Sequence, residues 1–312
     1  MEIGSFIEMQ FPKGKEYYNQ SVDIARLNTG RSAIWHAFRV SGVKAIWIPY
    51  YQCDTVRELL LKHSAKVKFY HTDNDWNPTD LDAKKDEAVL FVNYYGIMSH
   101  KRMSELASLS EHPIIDNCQG FFCEPVAGAL NIYSCRKFVG VPDGSYVIGK
   151  GAHKYVGEYP QCYSSDTAAF LLMRIEYGCE GKGYEARYIN EQRIDTEDIM
   201  KMSKLTRTIL DGTDYEQIKQ KRRDNFDYMH NRLGGINKIN PKQYYNETTI
   251  PMVYPLVVED DGLIQRLFKA RHFQGHWWSY ICDDENMQRV AVAIFIAICA
   301  ALFWRVGSTR PL

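Results

Sequence analysis

The sequence has no excess charge of either sign. Its 38 Lys and Arg residues balance its 38 Asp and Glu residues over 312 positions. A protein that binds nucleic acid through a broad basic face carries a surplus of positive charge. The balance therefore argues against a nucleic-acid partner and favours a small soluble substrate.

Cysteines are present but form no metal-binding or redox pattern. The eight cysteines lie at positions 53, 118, 123, 135, 162, 179, 282 and 299, with no C-x-x-C pair and no zinc-ligand spacing. We expect no metal site, and reduced thiols as in the cytoplasm. Cys118 and Cys135 are expected to be small buried hydrophobic side chains rather than nucleophiles.

Signals for export and membrane insertion are also missing. Residues 1–6 lack the basic segment and apolar core that mark a secretory signal. One strongly apolar run, Val290–Trp304, is shorter than the ~20 residues needed to cross a bilayer. We therefore expect a cytoplasmic protein with no membrane span.

Aromatic residues, in contrast, are abundant, at 13% of the chain with 21 Tyr. A chain of this length can build a substantial core in two domains or one large one. We interpret the aromatic surplus as filling for that core and for an oligomer interface.

Strand and helix patterns alternate through the first part of the chain. The periodicity predicts strands at Val43–Tyr51, Lys66–His71, Ala88–Tyr95 and Pro113–Asn117, and helices at Ser32–Val40, Thr55–His63 and Ser99–Ser110. Ser32 is expected at or near the cap of its helix. Such alternation implies right-handed crossovers and a mostly parallel sheet, whose ligands bind beyond the carboxyl ends of the strands.

Two further strand-like runs follow, Asn131–Lys137 and Ser145–Gly149, separated by a turn that is rich in Gly and Pro. Asp116 lies near the tip of the strand before them. Ser134 and Lys137 close the first of the two runs. An acid, a hydroxyl and an amine at strand ends suit one cofactor, pyridoxal 5′-phosphate (PLP).

The chemistry of PLP explains this choice of residue types. The aldehyde needs a lysine to hold it, the pyridine nitrogen needs a carboxylate to keep it protonated, and the phosphate needs hydroxyls and backbone N–H groups. Each residue also has an ordinary explanation, because a strand-end Asp often caps a turn and most lysines are solvated. The motifs around these residues have to distinguish a PLP site from these ordinary roles.

Several short motifs occur in an informative order. They are Asn28–Ala33, Pro49–Cys53, Asn93–Gly96, Asp116–Gln119 and Ser134–Lys137. Together they resemble the DegT/DnrJ/StrS sugar aminotransferases, a family of fold-type I PLP enzymes, from about Leu27 to about Trp278. The resemblance rests on the set, since each motif alone is unspecific.

The resemblance implies an α/β fold with a three-layer, mostly parallel sheet and a smaller C-terminal α+β domain. We expect a large PLP-binding domain at residues 1–215 and a small domain at residues 216–312. The amphipathic helix predicted at Tyr215–Leu233 would link them.

The resemblance also implies roles for individual residues. Lys137 would hold the cofactor and act as general acid and base, and Asp116 would keep the ring nitrogen protonated. The other expected contacts are Gly30, Arg31, Ser32 and Ser134 at the phosphate, Gln119 at the ring hydroxyl, and Cys53 and Tyr95 just past strand ends. Many relatives have an aromatic residue where Cys53 stands, so the residue that stacks on the ring is open between Cys53 and nearby Tyr51.

The implied function is a PLP-dependent aminotransferase that moves an amino group from glutamate to a nucleotide-linked keto-sugar, usually for surface-polysaccharide synthesis. Fold-type I enzymes build each site from two subunits, so a homodimer is expected. Two alternatives stay open: a non-catalytic binding or regulatory protein with this fold, and a PLP enzyme that acts on another carbonyl compound.

The second half of the chain is harder to interpret. Three glycines indicate a loop from residue 178 to the Gly183–Asn190 motif, where relatives use an Asn- and Arg-bearing loop to reach the partner subunit. Further predictions are a helix at Ile199–Leu210, a strand at Thr248–Val258, a helix at Leu263–Arg271 and the start of a strand at His276. Arg222 and Arg223 are expected on a solvated helix face.

The resemblance ends before the apolar run Val290–Trp304. Relatives usually close the small domain with a strand, a Pro-containing turn and a polar helix. We hypothesise that the chain from about residue 289 comes from an altered reading frame or a rearranged end, which leaves the small domain incomplete. Translation of the underlying DNA in the other frames tests this, and the absence of a family-like ending there would rule it out.

Overall fold

A computed structural model describes residues 7–20, 23–258, 260 and 262–272. The strand start predicted at His276 and the apolar run Val290–Trp304 lie outside the described residues. The hypothesis about the end of the chain therefore stays a hypothesis.

Within the described residues, a seven-stranded sheet forms the centre of the fold. Its strands are β1 (Ile24–Leu27), β2 (Ala45–Pro49), β3 (Lys66–Tyr70), β4 (Glu87–Val92), β5 (His112–Asn117), β6 (Leu130–Ser134) and β7 (Ser145–Ile148). The spatial order is β1-β7-β6-β5-β4-β2-β3, with β2 to β6 parallel and β7 antiparallel to both its neighbours. Strand β1 is thus parallel to β6, and the predicted mostly parallel sheet is confirmed.

Helices pack on both faces of this sheet. They are α1 (Gly30–Ser41), α2 (Asp54–Lys62), α3 (His100–Ala107), α4 (Ala169–Tyr177), α5 (Lys182–Thr196), α6 (Lys204–Asp211), α7 (Tyr215–Leu233) and α8 (Leu263–Lys269). The helix predicted at Tyr215–Leu233 coincides with α7 at both ends.

The central strand β4 shows why the fold has three layers. Val89 and Phe91 belong to the core cluster that contains side chains of α3 and α7, whereas Ala88 and Leu90 belong to the cluster of α1 and α2. Successive side chains of a strand point to opposite faces, so the two clusters are the two faces of the sheet. Every residue of β4 is buried, which explains its continuous hydrophobic sequence.

Two strands end earlier than the sequence pattern predicts. Strand β4 stops at Val92, because Tyr94–Gly96 form a 3-10 turn in which Tyr95 has a φ of 59°. Strand β6 stops at Ser134, and Lys137 lies in the turn beyond it. Residues of both turns therefore project past the edge of the sheet.

The loop predicted from Gly178, Gly181 and Gly183 is confirmed at residues 178–181, and only its end at Gly183 is wrong. Gly178 and Gly181, with φ of 77° and 52°, form the turn of a helical hairpin. Helix α5 contains the Gly183–Asn190 motif and packs against α4 in that hairpin.

Two more predictions in this half are wrong. The helix predicted at Ile199–Leu210 begins only at Lys204, where Ser203 caps it, because Lys201 forms bridges with Leu27 and Gln161 at the edge of the sheet. Thr248–Val258 forms no strand in the described part of the chain. Its backbone makes scattered hydrogen bonds instead, such as the one from Met252 N to the Tyr95 carbonyl at 2.8 Å.

The cluster on the α3 and α7 face continues across the predicted domain boundary at residue 215. The Phe226 ring lies 4.9 Å from that of Tyr245 and 5.3 Å from that of Tyr254, between centroids. Phe226 and Tyr254 share this cluster with Val89 of β4. Residues of the small-domain segment thus pack against the large domain, and the division at residue 215 stays a prediction.

Among residues 7–20, 23–258, 260 and 262–272, no helix is long and apolar enough to cross a membrane. The same residues place no group of three His, Cys, Asp or Glu side chains where a metal ion could be held.

Candidate active site

The carboxyl ends of six strands lie at one edge of the sheet. Strands β1 to β6 run in the same direction, so their ends and the segments that follow them meet there. The strand ends and these segments carry all the predicted site residues: Gly30, Arg31, Ser32, Cys53, Tyr95, Asp116, Gln119, Ser134 and Lys137. The parallel sheet thus gathers residues that are far apart in the sequence.

Asp116 is the penultimate residue of β5 and is only 5% exposed. Its Oδ1 accepts a hydrogen bond from the Cys118 N–H at 2.9 Å, and its Oδ2 accepts one from Gln52 Nε2 at 3.0 Å. Both carboxylate oxygens are held, so the side chain has one orientation. Sequence reasoning missed Gln52, although its place just past β2, beside Cys53, was an available signal.

Lys137 lies in the turn after β6 and is half-buried. The Phe138 and Val139 N–H groups close this turn by donating to the Cys135 carbonyl at 3.0 and 2.9 Å. Burial raises the pKa of the Cys53 and Cys118 thiols, and the positive charge of Lys137 opposes that rise at both. Because β6 is the neighbour of β5 in the sheet, Lys137 lies at the same sheet edge as Asp116.

The cysteines near the site are packing residues. Cys118 and Cys135 are buried, and burial raises the pKa of both thiols well above the usual value. A thiol with a raised pKa is a poor nucleophile at neutral pH. The prediction that these two residues are small buried hydrophobic side chains is confirmed.

Helix α1 brings its N-terminus to the same edge. Its cap is Thr29, whose Oγ1 accepts from the Ser32 N–H at 3.1 Å, so Ser32 lies near the cap, as predicted, but is not the cap itself. Ser32 lies in the first turn, and its hydroxyl is 2.7 Å from that of Thr29. The first N–H groups of a helix lack intrahelical acceptors and favour an anion.

Gly30 lets this helix end approach two strands closely. A Cβ atom at Gly30 would lie 2.7 Å from Cys118 Sγ and 3.9 Å from the Ser134 Cβ. Ser134 itself is the last residue of β6 and is 6% exposed. The absence of a side chain at Gly30 thus brings the N-terminus of α1 against Ser134 and the segment after Asp116.

The Arg31 side chain is engaged elsewhere. Its guanidinium donates to the Ile194 carbonyl and, at 2.9 Å, to the Glu197 carbonyl. Both carbonyls belong to the C-terminal end of α5, where a cation is favourable. Two donors of Arg31 are not used in these hydrogen bonds: its backbone N–H, in the first turn of α1, and its buried Nε.

Tyr95 and Gln119 form one unit. Tyr95 is fully buried in a left-handed conformation, and its N–H donates to Gln119 Oε1 at 2.9 Å. Behind them, a Cβ atom at Gly96 would lie 2.0 Å from the Gln119 carbonyl oxygen, so the two backbones are in direct contact. With its Oε1 engaged, Gln119 can present its amide NH₂ to a ligand.

The residue that would stack on a cofactor ring is still a prediction. Cys53 is the cap residue of α2, with its Sγ 3.2 Å from Thr55 Oγ1. The Tyr51 hydroxyl lies 2.5 Å from that of Tyr95, and its ring centroid is 5.3 Å from that of Tyr94. Both candidates therefore have positions that are fixed by neighbours.

Arg222 is buried, and the prediction of a solvated helix face is wrong for it. It is 4% exposed, its Nη2 donates to the Lys137 carbonyl at 3.0 Å, and its Nη1 donates to the Met252 carbonyl at 2.8 Å. Arginines on helices are usually exposed, so a single sequence gave no sign of this contact.

A cavity of about 280 Å³ lies next to the segments that contain Tyr95 and Gln119. Gly96 and Gly120, which directly follow these two residues, form part of its lining. Helix α7 contributes two cations one turn apart, Lys219 and Arg223, to the same cavity. None of the predicted cofactor residues lines it, so it is a neighbouring space rather than the cofactor site itself.

The Gly183–Asn190 motif on α5 is anchored to its own chain. Asn190 is fully buried, its Nδ2 donates to the Pro142 carbonyl at 3.3 Å, and its Oδ1 accepts from Arg193 at 3.1 Å. Arg187, in contrast, is exposed and pairs loosely with Glu191 at 3.8 Å. The asparagine and the arginine of this motif thus have different environments.

The close approach at Gly30 can be tested by a double-mutant cycle. We expect Gly30→Ala to lower the free energy of unfolding by about 1–3 kcal/mol, because the new methyl group overlaps Cys118 Sγ. In a Cys118→Ala background the same change should cost less than half as much. Gly157→Ala is the control, since a Cβ there meets nothing within 4 Å. Urea unfolding measures all four, and strictly additive losses would contradict the contact.

Comparison by sequence finds neither a matching family model nor a matching curated protein. Comparison by structure does find solved structures with a similar fold. The chain is similar to the sugar aminotransferase CalS13 from Micromonospora echinospora, with 14% identity and a TM-score of 0.56 over 86% of this chain and 77% of that chain.

Two other solved structures are also similar to this chain. A DegT DnrJ EryC1 StrS aminotransferase from Brucella abortus has 15% identity and a TM-score of 0.54, covering 84% of this chain and 72% of that one. NtdA from Bacillus subtilis, solved with bound cofactor PMP, has 13% identity and a TM-score of 0.53, covering 91% of this chain and 68% of that one. The chain therefore has the fold of the fold-type I PLP aminotransferases.

Proposed function

We propose that this protein is a PLP-dependent aminotransferase that moves an amino group from glutamate to a nucleotide-linked keto-sugar. The observation that carries the proposal is the meeting of Asp116, Lys137 and the N-terminus of α1 at one edge of the sheet. The sequence resemblance supports glutamate and the sugar, and the fold that the chain shares with sugar aminotransferases agrees with it.

The residues at this edge fit the cofactor. PLP needs a fixed carboxylate, and Asp116 is buried with both oxygens held by Cys118 N and Gln52. The phosphate needs N–H groups, and the first turn of α1 supplies them close to the Ser134 side chain. When bound, PLP supplies an electron sink for the pair of electrons released at the substrate carbon.

Side chains of the protein would perform the other steps of the reaction. Lys137 would hold the cofactor aldehyde and, once released, would move the proton between the substrate carbon and the cofactor carbon as general base and then general acid. Asp116 holds a proton on the ring nitrogen, and the Gln119 amide orients the ring hydroxyl. The proposal is supported by topology, since Asp116 lies near the end of β5 and Lys137 in the turn after the neighbouring parallel strand β6.

The cavity next to the Tyr95 and Gln119 segments supports an extended, anionic substrate. Lys219 is held there as a cation, because Glu216 at 2.7 Å raises its pKa against the effect of burial. The Lys219 amine also lies 4.8 Å from the Tyr17 ring centroid. Lys219 and Arg223 thus place two cations beside an aromatic face, which suit a diphosphate and the ring attached to it, in a lining that also includes Glu124 and Glu247.

A homodimer is proposed from the exposed face of the α4–α5 hairpin. Helix α4 buries none of its residues, although most of them are apolar, and Ile175 is 80% exposed. Large apolar side chains of both helices share this exposure: Leu172, Ile175, Tyr177, Tyr184, Tyr188 and Ile189. Monomeric proteins rarely expose such a contiguous apolar patch, so a second copy of the chain is its expected cover.

The cofactor lysine is tested by absorbance. Purified protein with added PLP is expected to show a band near ~420 nm that borohydride removes, with the reduced label on Lys137. Lys137→Ala should abolish the band, and replacement of exposed Lys150 by Ala should leave it unchanged. A label on another lysine, or a persistent band in Lys137→Ala, would refute the assignment.

The role of the cavity is tested by separating the two half-reactions. Arg223→Ala is expected to raise KM for a nucleotide-linked keto-sugar about tenfold, while the reaction with glutamate alone keeps its rate. The control is Lys221→Ala, because Lys221 does not line the cavity. A tenfold loss in the glutamate half-reaction would show that Arg223 acts elsewhere.

The proposed interface is tested by changing one exposed side chain of the hairpin. Ile175→Arg is expected to shift the sedimentation coefficient from dimer to monomer, because it places a charge in an apolar interface. Leu109→Arg, at a residue that is 56% exposed outside the hairpin, is expected to leave the dimer intact. A dimer that survives Ile175→Arg would place the interface on another surface.

A further inference from the structure

Arg222 joins three segments that surround the candidate site. It projects from α7, and its two terminal nitrogens donate to the Lys137 carbonyl at 3.0 Å and to the Met252 carbonyl at 2.8 Å. Its guanidinium carbon also lies 4.3 Å from the centroid of the Phe138 ring, the residue after Lys137. The side chain thus contacts the lysine turn twice.

The hydrogen bonds continue beyond Arg222 to the opposite side of the site. The Met252 N–H donates to the Tyr95 carbonyl at 2.8 Å, and the Tyr95 N–H donates to Gln119 Oε1 at 2.9 Å. A continuous chain of contacts therefore runs from the Lys137 backbone through Arg222 and Met252 to Gln119. These contacts connect the proposed aldehyde-binding residue to the residue proposed to orient the ring hydroxyl.

The chemistry of this contact requires arginine. A planar guanidinium can donate to two carbonyls at once in fixed directions and stack on an aromatic ring, whereas a lysine ammonium is a single point charge. Burial to 4% exposure removes water as a competitor for both carbonyls. A buried cation is expensive unless its donors are satisfied, so the two carbonyls are held strongly in return.

We propose that Arg222 is a positioning residue for the proposed aminotransferase reaction: it fixes the backbone of Lys137 relative to Tyr95 and Gln119. It touches neither substrate nor cofactor and acts through the lysine turn. The inference rests on the proposed function for its catalytic meaning, but the restraint on the turn is a property of the chain itself.

The first test measures the turn without any cofactor. In Arg222→Met, which keeps an unbranched apolar side chain, hydrogen exchange of the amides of Phe138 and Val139 is expected to accelerate about tenfold. Arg232→Met is the matched control, since Arg232 is an exposed arginine on the same helix. Equal exchange in the two variants would overturn the proposal, and this outcome does not depend on whether PLP binds.

The second test measures chemistry. With PLP and glutamate, Arg222→Met is expected to lower the rate of the half-reaction about tenfold with little change in KM, because the Lys137 amine is misplaced rather than lost. Arg222→Lys, which can restore one of the two hydrogen bonds, is expected to recover part of the rate. A variant that is less stable to heat but reacts at the wild-type rate would show a purely structural role.

The two tests separate failure of this inference from failure of the proposed function. If the wild-type protein forms no band with PLP, the proposed function fails, while exchange at Phe138 and Val139 still decides whether Arg222 restrains the turn. If the wild type forms the band and Arg222→Met matches it in band position, rate and exchange, the proposed function stands and the inference is overturned.

Discussion

The parallel pairing of β5 with its two neighbours is the constraint on which the site depends. Asp116 lies opposite Val92 of β4 on one side and Ile132 of β6 on the other. A shift of one residue in either ladder would turn the Asp116 side chain to the opposite face of the sheet, away from Gln52 and α1. The buried apolar residues of all three strands fix this register, so the packing of the core also sets the direction of the functional acid.

The sequence pattern predicted those site residues that a local change from apolar to polar residues marks. Asp116 and Lys137 stand out because polar residues follow apolar runs, and strand ends in a parallel sheet meet at one edge. Gln52 and Arg222 were missed for the opposite reason. Their contacts join residues 64 and 85 positions apart, to Asp116 and to Lys137, and no local periodicity records such a pairing. Within one sequence, a buried arginine looks the same as an exposed one.

The α4–α5 hairpin shows a limit of predicting helices from local sequence. Glycine signals mark the α4–α5 turn, but they say nothing of how far a helix extends once it packs against another. Gly183 lies inside α5, and a Cβ atom placed on it would lie 2.5 Å from the Gly178 carbonyl oxygen. The lack of a side chain at Gly183 therefore serves close packing and not flexibility. Tertiary contact thus overrides a residue's local preference in this hairpin.

The core cluster on the α3 and α7 face has a consequence for how the chain is made. It includes Tyr18 near the beginning of the described chain and Leu256 near its end. Helix α3 already packs on that face, whereas α7 and the residues up to Leu256 are added later. While a ribosome is still synthesising the residues of α7, the face around Val89, Phe91 and Ile115 is therefore covered only in part. The nascent chain passes through an interval in which part of this apolar surface is exposed to chaperones and to aggregation.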